Sequence, residues 1–148
     1  MGKIIIESDS PKITALVASR FASRISREKS GSAKIITLKG NLGSGKTTFV
    51  LGFLNHFGIK PHAASPTFVI MKHYKSGRGP ANIYHLDAYR LKSKKDLEVL
   101  GFEEISRDPK NIVLVEWPEM VKGMRFKNYF PIKFFYGKKE NERIIVFG

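Results

Sequence analysis

The stretch Gly40-Asn-Leu-Gly-Ser-Gly-Lys-Thr47 has residue types and spacing suited to holding phosphate. It fits G-x-x-x-x-G-K-[ST], the P-loop pattern. Gly40, Gly43 and Gly45 permit backbone conformations that a Cβ would block. Successive N–H groups can then turn inward onto phosphate oxygens. A following helix adds the positive end of its dipole. Lys46 offers an ammonium to the β- and γ-phosphates, and the Thr47 hydroxyl can ligate Mg²⁺. The bland alternative is a glycine-rich turn with a stray lysine. The flanks argue against it: an apolar run, Ile35 to Leu38, precedes the loop, and a helix-compatible run, Thr48 to Leu54, follows.

A P-loop that hydrolyses its ligand needs acidic groups near the Thr hydroxyl. Asp87 follows the strand-like run Ile83-Tyr-His-Leu86, and Glu116 follows Ile112-Val-Leu-Val115. Each stands where a strand emerges, which is where ligands bind in open α/β sheets. Metal binding and water activation are the candidate roles; a helix cap or a surface ion pair is the alternative. Ser65-Pro-Thr67 lies between the loop and Asp87. Its hydroxyls could sense a γ-phosphate, or its proline could simply set a strand entry. Arg90 reads more readily as a structural ion pair than as a phosphate ligand. Trp117, the single tryptophan, could stack on a base or a partner, or be a half-buried core aromatic. The four histidines, His56, His62, His73 and His85, show no metal-ligand spacing and read as structural or exposed.

These residues need a scaffold, and the chain's periodicity supplies one. Lys3 to Ile6 reads as a strand. Ser10 and Pro11 form an N-cap and first helical position, and Ile13, Leu16, Val17, Phe21 and Ile25 follow at helical spacing to about Arg27. The helix after the P-loop is expected to end near Phe57, with Gly58 just beyond it. Residues 67–71 and 82–86 read as strands around a polar turn, 75–80. Short helices are expected over 94–100 and 101–105. Asn111 to Val115 has the continuous apolar character of a strand buried on both faces. Tyr129 to Tyr136 and Arg143 to Phe147 form a hairpin, and Met71 and Phe134-Phe135 read as strand core. The fold class expected is α/β: one P-loop NTPase-like domain over 1–148, with a mixed sheet flanked by helices and a C-terminal antiparallel hairpin.

The 148 residues carry 26 Lys+Arg against 13 Asp+Glu, a net charge of +13. Such a surface attracts polyanions, although the basic residues are spread along the chain. The absence of cysteine excludes thiolate chemistry and disulfides and suits a cytosolic protein. No run approaches the ~20 apolar residues of a membrane span, and no secretory signal is evident.

Four motifs occur in order: Leu42-Gly-Ser-Gly-Lys-Thr-Thr48, Ser65-Pro-Thr-Phe68, His85-Leu-Asp-Ala-Tyr-Arg-Leu91 and Glu116-Trp-Pro-Glu119. Together they resemble the TsaE family, small bacterial P-loop ATPases of tRNA threonylcarbamoyladenosine synthesis, over nearly the whole chain. The resemblance implies ATP and Mg²⁺ as cofactors. It implies that Asn41, Leu42, Gly43, Ser44, Gly45, Lys46, Thr47 and Thr48 form the phosphate cradle, with Trp117 beside the nucleotide. Asp87 and Glu116 would serve the metal, together with Thr47, and the attacking water; Thr67 would act as a switch-like hydroxyl. It further implies TsaB and TsaD as partners, tRNA reached through that complex, and modification at adenosine 37 by TsaD. Asn41 departs from a usual acidic residue, where only backbone is used. Val69 replaces a common second Thr, and Ala88 a usual Leu. A small-molecule or nucleotide kinase, and a nucleotide-regulated tRNA-binding module, are the competing expectations.

Overall fold

The computed structural model describes residues 2–61, 69–80 and 82–148. Its first helix begins where side-chain chemistry dictates. The Ser10 hydroxyl accepts from the Ile13 N–H at 3.2 Å, and Pro11 takes the first turn of α1 (Pro11–Arg27). At the other end, the Lys34 ammonium donates to the Ile25 carbonyl at 2.7 Å, satisfying a helix-terminal acceptor. The second helix, α2 (Lys46–His56), stops at Phe57, and Gly58 follows at φ +75, as expected of a helix-ending glycine.

Seven strands form one sheet among the described residues: β1 (Ile4–Ser8), β2 (Lys34–Lys39), β3 (Met71–Lys75), β4 (Asn82–Asp87), β5 (Asn111–Glu116), β6 (Tyr129–Tyr136) and β7 (Arg143–Phe147). Their spatial order is β1-β7-β6-β2-β5-β4-β3. β2 is parallel to both β5 and β6, and β4 is parallel to β5; the other pairings are antiparallel. The mixed α/β sheet with a closing hairpin is therefore as the sequence predicts. α3 (Lys94–Val99) and α4 (Phe102–Arg107) also form. The Asp96 carboxylate accepts from the Lys92 and Ser93 N–H groups at 2.8 and 3.4 Å at the start of α3.

Two cores sandwich the sheet. α1 and α2 cover Ile36, Leu38, Ile112, Leu114, Ile132, Phe134 and Ile145 on one face. On the other, Leu97 and Phe102 pack with Val113, Val115 and Leu86. Every residue of β5 is buried, which is why its sequence is apolar without alternation.

Three local expectations need correction. The strand expected over 67–71 is β3, which starts at Met71 and runs to Lys75; residues 62–68, with Thr67, lie outside the described residues. It is an edge strand, and Lys72 and Lys75 blunt its open side, so its apolar signal is weak. On α1 the buried stripe is Thr14, Ala18, Ala22 and Ile25, and Leu16 is exposed. Small residues occupy that stripe because α2 approaches closely there. Finally, Phe135 is exposed and Met71 half-buried, so Phe134 is the core member of its pair.

The close approach of the helices has a measurable consequence. A Cβ at Gly52 would lie 2.5 Å from the Ala15 carbonyl oxygen and 2.7 Å from its Cα. Helix propensity alone favours alanine there by ~1 kcal/mol. Backbone-to-backbone overlap outweighs that preference, so Gly52→Ala should destabilise the fold by about 1–3 kcal/mol in a denaturant melt. Unchanged or raised stability would show that α1 can move aside freely.

Candidate active site

The loop between β2 and α2 is held by inverted backbone. Gly43 and Gly45 have φ of +75 and +106, which L side chains rarely adopt. Gly40 is required for a different reason: a Cβ there would lie 2.7 Å from Ser44 Oγ and 2.8 Å from the Phe134 carbonyl oxygen. Ser44 N–H donates to the Asn41 carbonyl at 3.1 Å, and Phe49 N–H to the Gly45 carbonyl at 2.9 Å. Ser44 Oγ is buried without a hydrogen-bond partner among the described residues.

The loop's outer carbonyls are held by the C-terminal hairpin. The Tyr136 hydroxyl donates to the Leu42 carbonyl. Arg143 donates to the Gly43 carbonyl through Nε at 3.2 Å and Nη2 at 3.1 Å. Carbonyls fixed outward favour N–H groups turned inward.

Lys46 is 5% exposed. Its ammonium donates to the Gly40 carbonyl and, at 3.2 Å, to the Asn41 carbonyl, and lies 4.0 Å from the Trp117 ring centroid. Burial pushes its pKa below the ordinary 10.5, while the charges of Glu116, Glu119 and Asp87 pull it back. Trp117 has φ +56, unusual for a bulky residue. Its ring meets Tyr89 edge-on at 5.1 Å, and the Trp117 backbone N–H donates to the Leu38 carbonyl at 3.3 Å. The strained turn and its neighbours thus aim the ring at the lysine.

The two acids emerge side by side. Asp87 and Glu116 are register partners at the carboxyl ends of the parallel strands β4 and β5. Asp87 is exposed, and its Oδ1 accepts from the Tyr89 N–H at 3.1 Å. Glu116 is 6% exposed, and its Oε2 lies 2.6 Å from His85 Nε2. The cavity bounded by these groups measures 250 Å³ and includes Thr47, Thr48, Asp87, Glu116 and Trp117 in its wall.

All the described expected site residues lie in or beside this cavity, though Asn41 and Ser44 serve it from behind the loop. Sequence reading took His85 as structural or exposed and assigned no site role to it, to Tyr136 or to Arg143. His85 sits two residues before Asp87 on one strand, so the period-2 rule could have placed it beside the acids. Tyr136 and Arg143 lie about a hundred residues from the loop, with no local signal. A larger cavity of 620 Å³ involves Ile35, Leu97, Phe102 and Phe126, near the starts of β2 and β6. It lacks the loop and the acid pair, so size does not mark the chemical site.

The cradle suits a polyphosphate: two positive-φ glycines, a buried lysine and a threonine opening a helix share one wall. Among the described residues no three His, Asp or Glu side chains gather as a metal cage.

The TsaE family model, described as "Threonylcarbamoyl adenosine biosynthesis protein TsaE", matches residues 8–145. The chain belongs to the TsaE family. Among curated proteins it is similar to the "tRNA threonylcarbamoyladenosine biosynthesis protein TsaE" of Rickettsia prowazekii, 42% identical over 91 residues, covering 61% of this chain and 60% of that one. The Bacillus subtilis protein of the same description is 41% identical over 88 residues, covering 60% and 52%. The chain thus matches between half and three-fifths of these curated relatives' lengths. The Bacillus subtilis YdiB crystal structure superposes with a TM-score of 0.76 at 28% identity, covering 99% of this chain and 84% of that one. The α/β domain of this TsaE-family chain, with seven strands among its described residues, thus shares its fold with YdiB. No helix among its described residues is long and apolar enough to cross a membrane.

The buried Glu116 depends on His85. His85→Ala should leave that carboxylate without its side-chain partner and destabilise the protein by about 1–3 kcal/mol, read from chemical melts. Wild-type stability would mean that solvent replaces the imidazole.

Proposed function

We propose that this TsaE-family chain binds ATP with Mg²⁺ and hydrolyses it in support of tRNA threonylcarbamoyladenosine formation at position 37, acting on a TsaB–TsaD complex. The observation that carries this reading is the joint wall of Lys46, Thr47, Asp87 and Glu116 around one cavity. A phosphate chain in the loop would accept from its inward N–H groups. It would draw the Lys46 ammonium from the Gly40 and Asn41 carbonyls, because a charged acceptor is the stronger partner. The Thr47 hydroxyl and the exposed Asp87 carboxylate are the groups to hold Mg²⁺, and Glu116 is a third candidate. The metal would supply positive charge to the oxygens of the transferring phosphoryl group. Glu116, held by His85, is suited to orient a water molecule and take its proton. Trp117 would bound the site beside Lys46. Thr67 remains the candidate switch hydroxyl.

A kinase reading needs an arginine-bearing lid over the phosphates. Arg78, in the polar turn 75–80, lies against Gly58 just beyond the end of α2. That is roughly 18 Å along the helix direction from Lys46. The acceptor here is therefore read as water, and phosphotransfer to a small molecule in an acceptor screen would overturn this.

Three variants test the assignment. Lys46→Ala should lose at least about tenfold in ATP affinity by calorimetry. Asp87→Ala and Glu116→Ala should reduce hydrolysis by about 10²-fold or more while changing affinity less. Normal turnover in both acid variants would remove their roles. In reconstitution with TsaB and TsaD, multiple-turnover tRNA modification should require both ATP and Lys46.

The lowered Lys46 pKa predicts a pH effect with a definite sign. The ammonium is the form that attracts phosphate, and it is lost as pH rises through a value below 10.5. ADP affinity should therefore weaken at alkaline pH earlier than an ordinary lysine would allow. Lys46→Ala should lack that step. A wild-type affinity flat up to the ordinary lysine range would contradict the burial argument.

A further inference from the structure

Three of the seven strands, β1, β7 and β6, have a face that neither core cluster among the described residues covers. Ile132, Phe134 and Ile145 point into the core beneath α1 and α2. Strand alternation therefore turns Pro131, Lys133 and Phe135 to the opposite surface. Register places Ile144 beside Phe135, Val146 beside Lys133, and Ile5 beside Val146. None of these six residues belongs to either core cluster. The second core lies over β2, β5 and β4 instead.

This face combines aromatic rings with positive charge. Four large aromatics are exposed among the described residues: Tyr89, Tyr129, Phe135 and Tyr136. Tyr129 and Phe135, at 47% and 50% exposure, stand on this face of β6, whereas Tyr136 turns to the loop. Lys39 and Lys133 are register partners on adjacent strands. Exposed Arg125 and Lys127 lead into β6. Glu119 is the nearby acid, paired with Lys39 at 3.8 Å, and Glu7 lies out on β1. A groove of 490 Å³ involves Arg125, Phe126, Tyr129, Lys39 and Lys133. A second, of 330 Å³, shares Lys39 and Lys133 and continues to Phe135, Tyr136 and Trp117. The two grooves follow β6, an eight-residue strand roughly 26 Å long.

We propose that this face binds single-stranded RNA, with bases stacked on Tyr129 and Phe135 and phosphates on Lys39, Lys133 and Arg125. Flat rings interleaved with cations along a strand suit unpaired bases, because every base has a π-face. An acidic peptide would use the lysines and leave the ring faces idle. The net charge of +13 draws a polyanion to the surface, and the rings give this face its advantage over the rest of it. The groove adjoins the phosphate cradle at Gly40, Asn41 and Trp117, but Tyr129, Phe135, Lys39, Lys133 and Arg125 are not among the cavity residues around Lys46, so RNA binding without nucleotide is read apart from ATP hydrolysis.

Fluorescence anisotropy of the full chain with a labelled oligouridylate, without nucleotide, tests it. The wild type should bind, with affinity falling as salt rises. Lys133→Glu should weaken binding by about tenfold and flatten the salt dependence. Phe135→Ala should weaken it by about tenfold with the salt dependence unchanged. Arg20→Glu makes the same charge change on the exposed side of α1 and should stay within about twofold of the wild type. Thermal melts establish that each variant is folded; should Phe135→Ala fail to fold, Tyr129→Ala takes its place. The proposal is overturned by absence of RNA binding, by equal losses in Arg20→Glu and Lys133→Glu, or by wild-type affinity in the aromatic variant. Polyglutamate binding as tightly as the RNA and showing the same ring dependence would also overturn it, in favour of an acidic protein partner.

Discussion

A phosphate-binding loop must turn its N–H groups inward, and its carbonyls then need partners outside. In this molecule the loop over residues 40–47, proposed to hold phosphate, finds those partners in the rest of the fold. Gly43 and Gly45 make the inversion possible because positive φ costs them little. The carbonyls of Leu42 and Gly43 are received by Tyr136 and Arg143. Those of Gly40 and Asn41 meet the Lys46 ammonium. The C-terminal hairpin thus acts as a support for the cradle, although it lies far away in sequence. The close approach of Gly40 to Phe134 shows the same dependence, since a Cβ there would strike the hairpin strand.

Sheet order supplies the second half of the site. Because β2, β5 and β4 are parallel neighbours, their carboxyl ends open on one side of the sheet. The loop leaves β2 there, Glu116 leaves β5, and Asp87 leaves β4. The two acids differ in setting. Glu116 is buried on His85, whereas Asp87 is open to solvent. An exposed carboxylate can reach a hydrated metal at little cost, and a buried, tethered one is better suited to hold a water in fixed orientation. The strained Trp117 follows Glu116 directly, so one strand end positions both the acid and the ring facing Lys46.

The parts legible in the sequence were those encoded locally. The cap at Ser10-Pro11, the glycine after α2, the apolar run of β5 and both hairpin strands each carry their signal within a few residues. The loop and the acids could be read because their motifs are short and strand ends are recognisable. What escaped was set by tertiary contact. The α1 stripe runs through Thr14, Ala18 and Ala22, because Gly52 brings the helices too close for larger side chains. β3 was displaced in the reading because an edge strand carries lysines where a central one would be apolar. Tyr136 and Arg143 looked like ordinary hairpin residues, and only the fold brings them to the loop.

The same hairpin has two surfaces with opposite duties. Its inward side contributes Phe134 to the core beneath α2 and, at its end, Tyr136 to the loop. Its outward side presents Lys133 and Phe135 to solvent. Strand alternation makes the two sides inseparable: a shift of one residue in β6 would bury Lys133 and expose Phe134. The register that supports the cradle therefore also fixes the spacing of charge and ring on the open face. Placement of Lys39 strengthens the link, since it is the last residue of β2 and the next residue is Gly40. Charge that settles on Lys39 and Lys133 lies one residue from the backbone that positions the phosphate loop. A polyanion on that face and a nucleotide in the cradle would thus act on adjacent segments of β2 and β6, while touching different side chains.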